Sequence, residues 1–341
     1  MRILHHNDAD GYGAAAIVKT ELCSVFDIMT SSHFVEYCHN GKINIENEED
    51  FYKDNDQLYI VDLALDETIF SVIKKAIDHH MKVVHIDHHV SGDKYLNEIM
   101  SEEDKALYND HVIRFYNNEY SGCMLTWIYS CMGETDRLRP MEVPFDLSED
   151  LAQVALYPDS DKIKVVGIPL AVRLIDDNDV WRHSLPESKL FAAAWFVYPK
   201  SERHPMNLEF WNEMLYSGPK MAYDTIDKGE IIFAYQDTLY KSTMSNSFEV
   251  IIGEYKGIAV NSSVGNSRLF GDLINDYDFV CKYHQLSPDR WKYSFYSKDD
   301  GANCEELVKR YFNDLGLQGG HVHAASGIID RNVFDKSTII V

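Results

Sequence analysis

Three aliphatic runs early in the chain each end in polar residues of the same kind. Ile3-Leu4 leads into His5-His6-Asn7-Asp8-Ala9-Asp10, Leu58-Tyr59-Ile60-Val61 into Asp62, and Val83-Val84-His85-Ile86 into Asp87-His88-His89. Short apolar runs of this length predict strands, and their near-continuous hydrophobicity predicts burial on both faces, as in a parallel sheet. Between the second and third runs, Ile69, Val72, Ile73, Ala76 and Ile77 recur at helical spacing, predicting a helix over residues 66–77. Strand, helix and strand at this spacing make a right-handed βαβ unit, so both motif strands end at the same sheet edge. Residues 12–22, rich in alanine and aliphatics, predict a helix opening directly behind Asp8 and Asp10. Its free N–H groups would favour phosphate or carboxylate.

Further along, short strands are expected at 25–29 and 33–37, followed by an irregular polar connection at 40–56. Helices are expected at 120–131, 151–157 and 165–175, and the pattern stays mostly helical over 187–241. The breaks there are Tyr198-Pro199-Lys200, His204-Pro205 and Ser217-Gly218-Pro219. Residues 220–241 read as a connecting helix. A second α/β unit follows, with a hairpin at 249–261 turning at 254–257, a helix at 267–274, strands at 277–283 and 291–296, a helix at 304–312 and a last strand at 338–341. The expected division is 1–185, a helical connector at 186–245, and 246–341.

Strand ends gathered at one edge would collect His6, Asp8, Asp10, Asp62, His88 and His89. Carboxylates mixed with imidazoles suit manganese, and alternatively iron, cobalt or zinc, and so many carboxylates repel one another unless cations lie between them. This is a two-metal centre in outline. The chain carries an internal control, because Asp78-His79-His80 repeats the triplet nine residues earlier. That copy closes a helix instead of a strand, so His79 and His80 are expected at the opposite sheet edge, where imidazolium complements the helix dipole.

Composition narrows the substrate. Asp and Glu number 55 against 32 Lys and Arg, a formal charge of −23, within an otherwise ordinary 341 residues of 45% hydrophobic and 26% charged content. Extensive binding to long nucleic acid leaves a basic footprint, so this balance argues against it and leaves small phosphorylated substrates compatible, since bound metals can reverse the local sign. The run Glu46-Asn47-Glu48-Glu49-Asp50 reads as a solvated acidic loop. Six cysteines (Cys23, Cys38, Cys123, Cys131, Cys281, Cys304) form no CxxC pair, which predicts reduced thiols and a cytoplasmic protein. The start of the chain carries no apolar leader, and its longest apolar run, 190–198, is too short for a membrane span.

His6-Asn7-Asp8-Ala9-Asp10-Gly11, Val61-Asp62, Asp87-His88-His89 and Gly319-Gly320-His321-Val322-His323-Ala324-Ala325 resemble, in order and over nearly the whole chain, the motifs of the DHH phosphoesterases with a DHH-associated C-terminal domain. That superfamily includes RecJ-like exonucleases, nanoRNases and cyclic-dinucleotide phosphodiesterases. The resemblance implies an α/β protein: an N-terminal DHH domain with a mainly parallel sheet flanked by helices, a helical linker, and a smaller α/β C-terminal domain, with the active site in the cleft between them. It implies two divalent ions, Mn(II) by preference. His6 and Asp8 would hold one, Asp10, His88 and Asp177 the other, and Asp62 both; Asp176 and Asp179 are alternates to Asp177. Asp62, His88 and His89 form the implied catalytic set, with His89 on substrate phosphate and Asp87 orienting its neighbours. Gly319, Gly320 and His321 are implied to contact substrate. Where many relatives have Ser-x-Arg-Ser, this chain has Ser294-Phe295-Tyr296-Ser297, which removes a bidentate phosphate grip; Arg268 is a candidate substitute. The implied activity is hydrolysis of short oligoribonucleotides to nucleoside monophosphates, with a cyclic-dinucleotide or 3′,5′-bisphosphonucleoside hydrolase as the alternative and a homodimer as the expected assembly.

Overall fold

A computed structural model describes residues 1–22, 33–38, 42, 43, 45, 47–54, 56–132, 141, 142, 167–312, 318–334, 339 and 340. The strand expected at 25–29 and the helix expected at 151–157 lie outside these residues. The described chain is α/β and divides into two units, Met1–Ile232 and Phe233–Val341, with the division falling inside the Lys220–Met244 helix.

The first unit is built on a sheet of β1 (Arg2–His6), β2 (His33–Cys38), β3 (Lys42–Ile43), β4 (Gln57–Val61), β5 (Lys82–Asp87), β6 (Val112–Tyr116) and β7 (Met141–Glu142). The spatial order is β3-β2-β1-β4-β5-β6-β7, and every neighbouring pair is parallel except β2 with β3. Successive residues of a strand face opposite sides, and here both sides are covered. Ile3, Tyr59, Val61, Val84 and Ile86 pack with Tyr12, Ile17 and Trp127 on one face. Leu4, Leu58, Ile60 and Val83 pack with Ile69, Phe70 and Ile73 on the other. Each such side chain contributes about 1.5–3 kcal/mol when fully buried, and a polar residue inside a strand, such as His85 in β5, is buried with hydrogen-bond partners.

The expected helix at 66–77 forms as Glu67–Asp78, with the Asp66 carboxylate accepting from Ile69 N at 2.7 Å as its cap. The helix behind β1 starts earlier than expected, at Ala9, and runs to Ile17, continuing through a wider turn over Val18–Leu22. The acidic run is not all loop: Asn47 caps a short helix, Glu48–Phe51, whose carboxylates sit at the favourable N-terminal end. Helices Pro186–Trp195 and Leu208–Leu215 carry Phe191, Trp195, Phe210 and Trp211 into the core of the first unit. Side chains this large drive burial wherever a core is within reach.

The second unit has its own sheet, of β8 (Phe248–Ile252), β9 (Tyr255–Asn261), β10 (Phe279–Ser287), β11 (Arg290–Tyr296), β12 (Gln318–His321), β13 (Ala324–Ile329) and β14 (Ile339–Ile340), in the order β12-β13-β11-β10-β9-β8-β14. The expected hairpin turns two residues tighter than its pattern implied, at Gly253-Glu254, where Gly253 takes the left-handed φ of 58°. Phe279, Tyr293, Phe295 and Phe312 fill the core beneath the Cys304–Tyr311 helix. Gly319-Gly320-His321 is part of β12, paired antiparallel with Ser326, Ala325 and Ala324.

Candidate metal centre

The C-terminal ends of β1, β4 and β5 deliver the polar residues to one sheet edge. After β1, Asp8 caps the Ala9–Ile17 helix by accepting from Gly11 N at 2.9 Å through Oδ1, leaving Oδ2 to meet His6 Nδ1 at 2.6 Å. The turn requires glycine at position 11, because a Cβ there would lie 2.3 Å from the His6 carbonyl oxygen. Asp62 follows β4 with its N–H still paired to Ile86 O at 2.9 Å, then takes a left-handed φ of 56°. Aspartate tolerates that conformation better than most residues. Its carboxylate is 2% exposed, with Oδ2 3.7 Å from His6 Nδ1 and Oδ1 3.2 Å from His88 Nε2.

After β5 the triplet divides its work. Asp87 is 4% exposed and binds His89 Nδ1 at 2.7 Å, which fixes the imidazole at the start of the Val90–Lys94 helix. Burial alone would raise the Asp87 pKa, but the His89 contact holds it below the ordinary carboxylate value; burial opposes protonation of His89, and the same contact raises its pKa. His88 turns toward the cluster, with Nε2 3.5 Å from Asp179 Oδ2 and 3.8 Å from Asp10 Oδ2.

Asp10 is held from behind by the N-terminus of the Gly122–Cys131 helix, where Gly122 N and Cys123 N each donate to its carboxylate at 2.7 Å. A Cβ on residue 122 would stand 2.6 Å from the Asp62 Cβ, so glycine there lets the helix approach both carboxylates. The signal was present in the sequence, since Ser121-Gly122 opens the predicted helix at a capping position.

The Leu170–Asp179 helix presents three carboxylates with three different fates. Asp176 accepts from Ser121 N at 2.7 Å and from Arg182 Nη1 at 2.6 Å. Asp177, the residue expected on the metal, is turned away: it accepts from Ser184 N at 2.9 Å, the Ser184 hydroxyl, and Leu185 N at 3.1 Å. These donors consume both of its oxygens. Asp179, two residues on, is the carboxylate brought to Asp10 and His88.

Among the described residues, three groups of side chains could hold a cation: His6, Asp8 and Asp62; Asp10, His88 and Asp179; and Asp62, His88 and His89, the ligand atoms in each lying within 4.8 Å of one another. The donors fit divalent ions on chemical grounds. Asp62 Oδ2 is buried without a hydrogen-bond donor, an arrangement that costs about 1–3 kcal/mol unless something satisfies it. Burial and the charges of Asp10 and Asp8 drive the Asp62 pKa well up, and burial with the charges of Asp10 and Asp62 pushes Asp179 up to about 9. Burial works against protonation of His6, yet its contacts with Asp62 and Asp8 push it up to about 11. Without cations, protons balance the charge.

The other histidine triplet stands apart. Asp78 ends its helix, His79 caps it with Nδ1 3.3 Å from Asp54 Oδ1, and His80 takes a φ of 52°. Neither histidine joins a ligand group among the described residues. His85 is buried and bonded to the Tyr108 hydroxyl at 2.7 Å and Leu63 O at 2.8 Å, a structural pairing within the sheet. Arg268, the candidate phosphate donor, is engaged by Asp237 at 2.5 Å, Gln236 at 2.6 Å and the Phe233 ring.

These features define an α/β protein with a carboxylate–imidazole centre at the C-terminal edge of a parallel sheet. No protein-family model matches the chain, and no curated protein matches its sequence. Among solved structures it is similar to PggH of Vibrio cholerae, described as a pGpG-specific phosphodiesterase, at 11% identity over 96% of this chain and 92% of that one, TM-score 0.44. It is likewise similar to a manganese-bound exonuclease RecJ (14% identity, 96% and 85% covered, TM-score 0.40) and to an exopolyphosphatase-related protein from Bacteroides fragilis (13%, 96% and 85%, TM-score 0.38).

Proposed function

We propose that the chain is a divalent-metal-dependent phosphodiesterase of the DHH type that hydrolyses short oligoribonucleotides to nucleoside monophosphates. The observation that carries this reading is Asp62, a buried carboxylate that belongs to two ligand groups, one with His6 and Asp8 and one with His88 and His89, with one oxygen left without a donor. His6, Asp8 and Asp62 would hold one ion, and Asp10, Asp62, His88 and Asp179 a second, with Mn(II) suited to this donor set. Bound there, such ions supply an activated water and neutralise charge growing on a phosphoryl group.

The chain's own residues do the rest. His89, its pKa raised in spite of burial by the Asp87 contact that steadies it, offers an imidazole to a non-bridging phosphate oxygen beside the cluster. Gly122 N and Cys123 N donate to Asp10 and fix the direction of its carboxylate, while Asp8 is fixed by its helix-capping bond. Gly319, Gly320 and His321 are assigned to substrate by the motif resemblance. The acidic surface favours short substrates over long strands. No helix among the described residues is long and apolar enough to cross a membrane.

The test is to incubate the manganese-loaded protein with a diribonucleotide, a five-mer, a long single strand and a cyclic dinucleotide, and to quantify products by chromatography. Release of mononucleotides that is fastest from the diribonucleotide is expected, with Asp62→Ala slowing it at least about a thousandfold. Preference for the cyclic dinucleotide would move the assignment to that substrate. Normal turnover by Asp62→Ala in saturating manganese would refute the centre itself.

A further inference from the structure

Two and four residues beyond Asp179, the last residue of its helix, the chain does something costly. Trp181 and His183 both adopt left-handed φ angles, 57° and 49°, a conformation that bulky side chains rarely take and that stores strain. The segment is held by its surroundings: Val180 N bonds Asp176 O at 3.2 Å, Trp181 N bonds Asn178 O at 3.3 Å, and His183 N bonds Asp177 O at 3.2 Å. The Asp177 carboxylate then binds Ser184 N and Leu185 N. The buried Asp177, which takes no part in the ligand groups, therefore dictates the path of the turn.

That path sends the Trp181 indole outward. It is 74% exposed, whereas Trp127, Trp195 and Trp211 are buried and Trp291 is half-buried. The ring is not loose, since His183 braces it edge-on with centroids 5.4 Å apart. Its chain neighbours Val180 and Arg182, with Asn118, Glu119 and Tyr120, line an open depression of about 370 Å³, within the size range of small-ligand sites, roughly 300–1,000 Å³. Its floor is rigid. Arg182 spans from Asp176 Oδ2 to Glu119 O, both at 2.6 Å, and lies over the Tyr120 ring at 5.5 Å.

The walls of this depression are the immediate chain neighbours of the metal-centre residues. Val180 follows Asp179, and Tyr120 precedes the Ser121-Gly122 start that grips Asp10. Consecutive Cα atoms are about 3.8 Å apart, so the Trp181 Cα lies within about 7.6 Å of the Asp179 Cα. An aromatic group carried a sugar's length from a phosphate at the cluster is of the size that spans such a separation.

We propose that Trp181 is a base-stacking platform, and that with the depression lined by Asn118, Tyr120 and Arg182 it receives the nucleobase of a nucleotide whose phosphate lies at the Asp62 cluster. The inference rests on the phosphodiesterase reading for the position of the phosphate, and it adds a base-dependent part of substrate affinity. Stacking tolerates any base, because every base has a π face, whereas the Asn118 carboxamide can discriminate between base edges.

The test uses the full-length protein loaded with Mg(II), excited at the red edge of tryptophan absorption, and titrated with guanosine 5′-monophosphate or ribose 5-phosphate. Saturable quenching by the nucleotide, absent with the sugar phosphate and lost in Trp181→Phe, is expected. Equal responses to the two probes, or undiminished quenching in Trp181→Phe, would overturn the proposal. With a diribonucleotide substrate, Trp181→Ala should raise KM about tenfold to a hundredfold while kcat stays within about threefold, and Trp181→Phe should recover most of the loss. A fall in kcat at unchanged KM would also overturn it. If no phosphodiester is turned over by the wild-type protein, the activity reading fails alone, and the nucleotide titration still decides for or against the platform.

Discussion

Asp78-His79-His80 and Asp87-His88-His89 are the same three residues nine positions apart, and they have nothing in common chemically. The first closes a helix, with His79 stacked on Tyr52 at 5.8 Å and reaching Asp54 near solvent. The second closes β5 and faces Asp62, Asp10 and Asp179. A strand separates them, and a parallel sheet has a polarity. Its C-terminal edge collects the loops after β1, β4 and β5, whereas its N-terminal edge receives the ends of the crossover helices. The identity of the triplet is therefore uninformative until its place in the βαβ unit is known.

The sharpest way to break this comparison is to remove one imidazole from each copy. His88→Ala should lower phosphodiester turnover at least about a hundredfold, since losing even a residue that orients a metal ligand costs about 10–100-fold. His79→Ala and His80→Ala should stay within about twofold, as expected of surface changes worth under about 0.5 kcal/mol. Comparable losses from both copies, measured on proteins with matched circular dichroism, would show that sheet polarity does not sort them.

Much of the centre could be read from the sequence because strand ends are a one-dimensional signal. His6, Asp8, Asp10, Asp62 and His88 each lie at or just beyond the end of an apolar run, and a parallel sheet converts that position into proximity. The fourth carboxylate could not be read the same way. Asp176, Asp177 and Asp179 share one helical turn, about 100° apart per residue, and the choice among them depends on distant groups: Ser121 N and Arg182 take Asp176, and Ser184 and Leu185 take Asp177. Likewise β12 was hidden because glycine is scarce in strands, and only its pairing with β13 makes Gln318–His321 extended.

That sorting gives the second prediction, a contrast inside one helix turn. Asp179→Asn should weaken the manganese dependence of activity by at least about tenfold with little change in thermal stability. Asp177→Asn replaces one of the two acceptor oxygens with an NH2 donor, so that either the Ser184 pair of bonds or the Leu185 N bond is lost, and should cost about 1–3 kcal/mol of stability while leaving the half-saturating manganese concentration within about twofold. The metal titration and the melting curve, recorded on both variants, must separate in opposite directions. If Asp177→Asn shifts the titration and Asp179→Asn does not, the carboxylates have been assigned the wrong way round.

The smallest effect concerns protons at the same edge. Burial with the charges of Asp10 and Asp62 pushes Asp179 up to about 9, far above the value near 3.8 that an unfolded aspartate has. In metal-free protein the folded state therefore holds a proton on this residue that the unfolded state has released above about pH 4. Stability falls with pH wherever the folded state binds more protons, so this contribution is present at about pH 4 and is lost as pH rises toward 9. His6, pushed to about 11 by Asp62 and Asp8 against the effect of burial, acts in the same direction above about pH 6.5. Divalent ions must displace these protons, which predicts an apparent metal affinity that rises up to about tenfold per pH unit for each proton displaced. Melting curves of chelator-treated and manganese-loaded protein between pH 6 and 8.5 should diverge as pH increases. Asp179→Asn, which cannot take up the proton, should flatten the divergence. A manganese-induced shift in Tm that is constant across this range would mean that the carboxylates are already ionised in the metal-free fold, and that Asp62 and Asp179 are balanced by something other than protons.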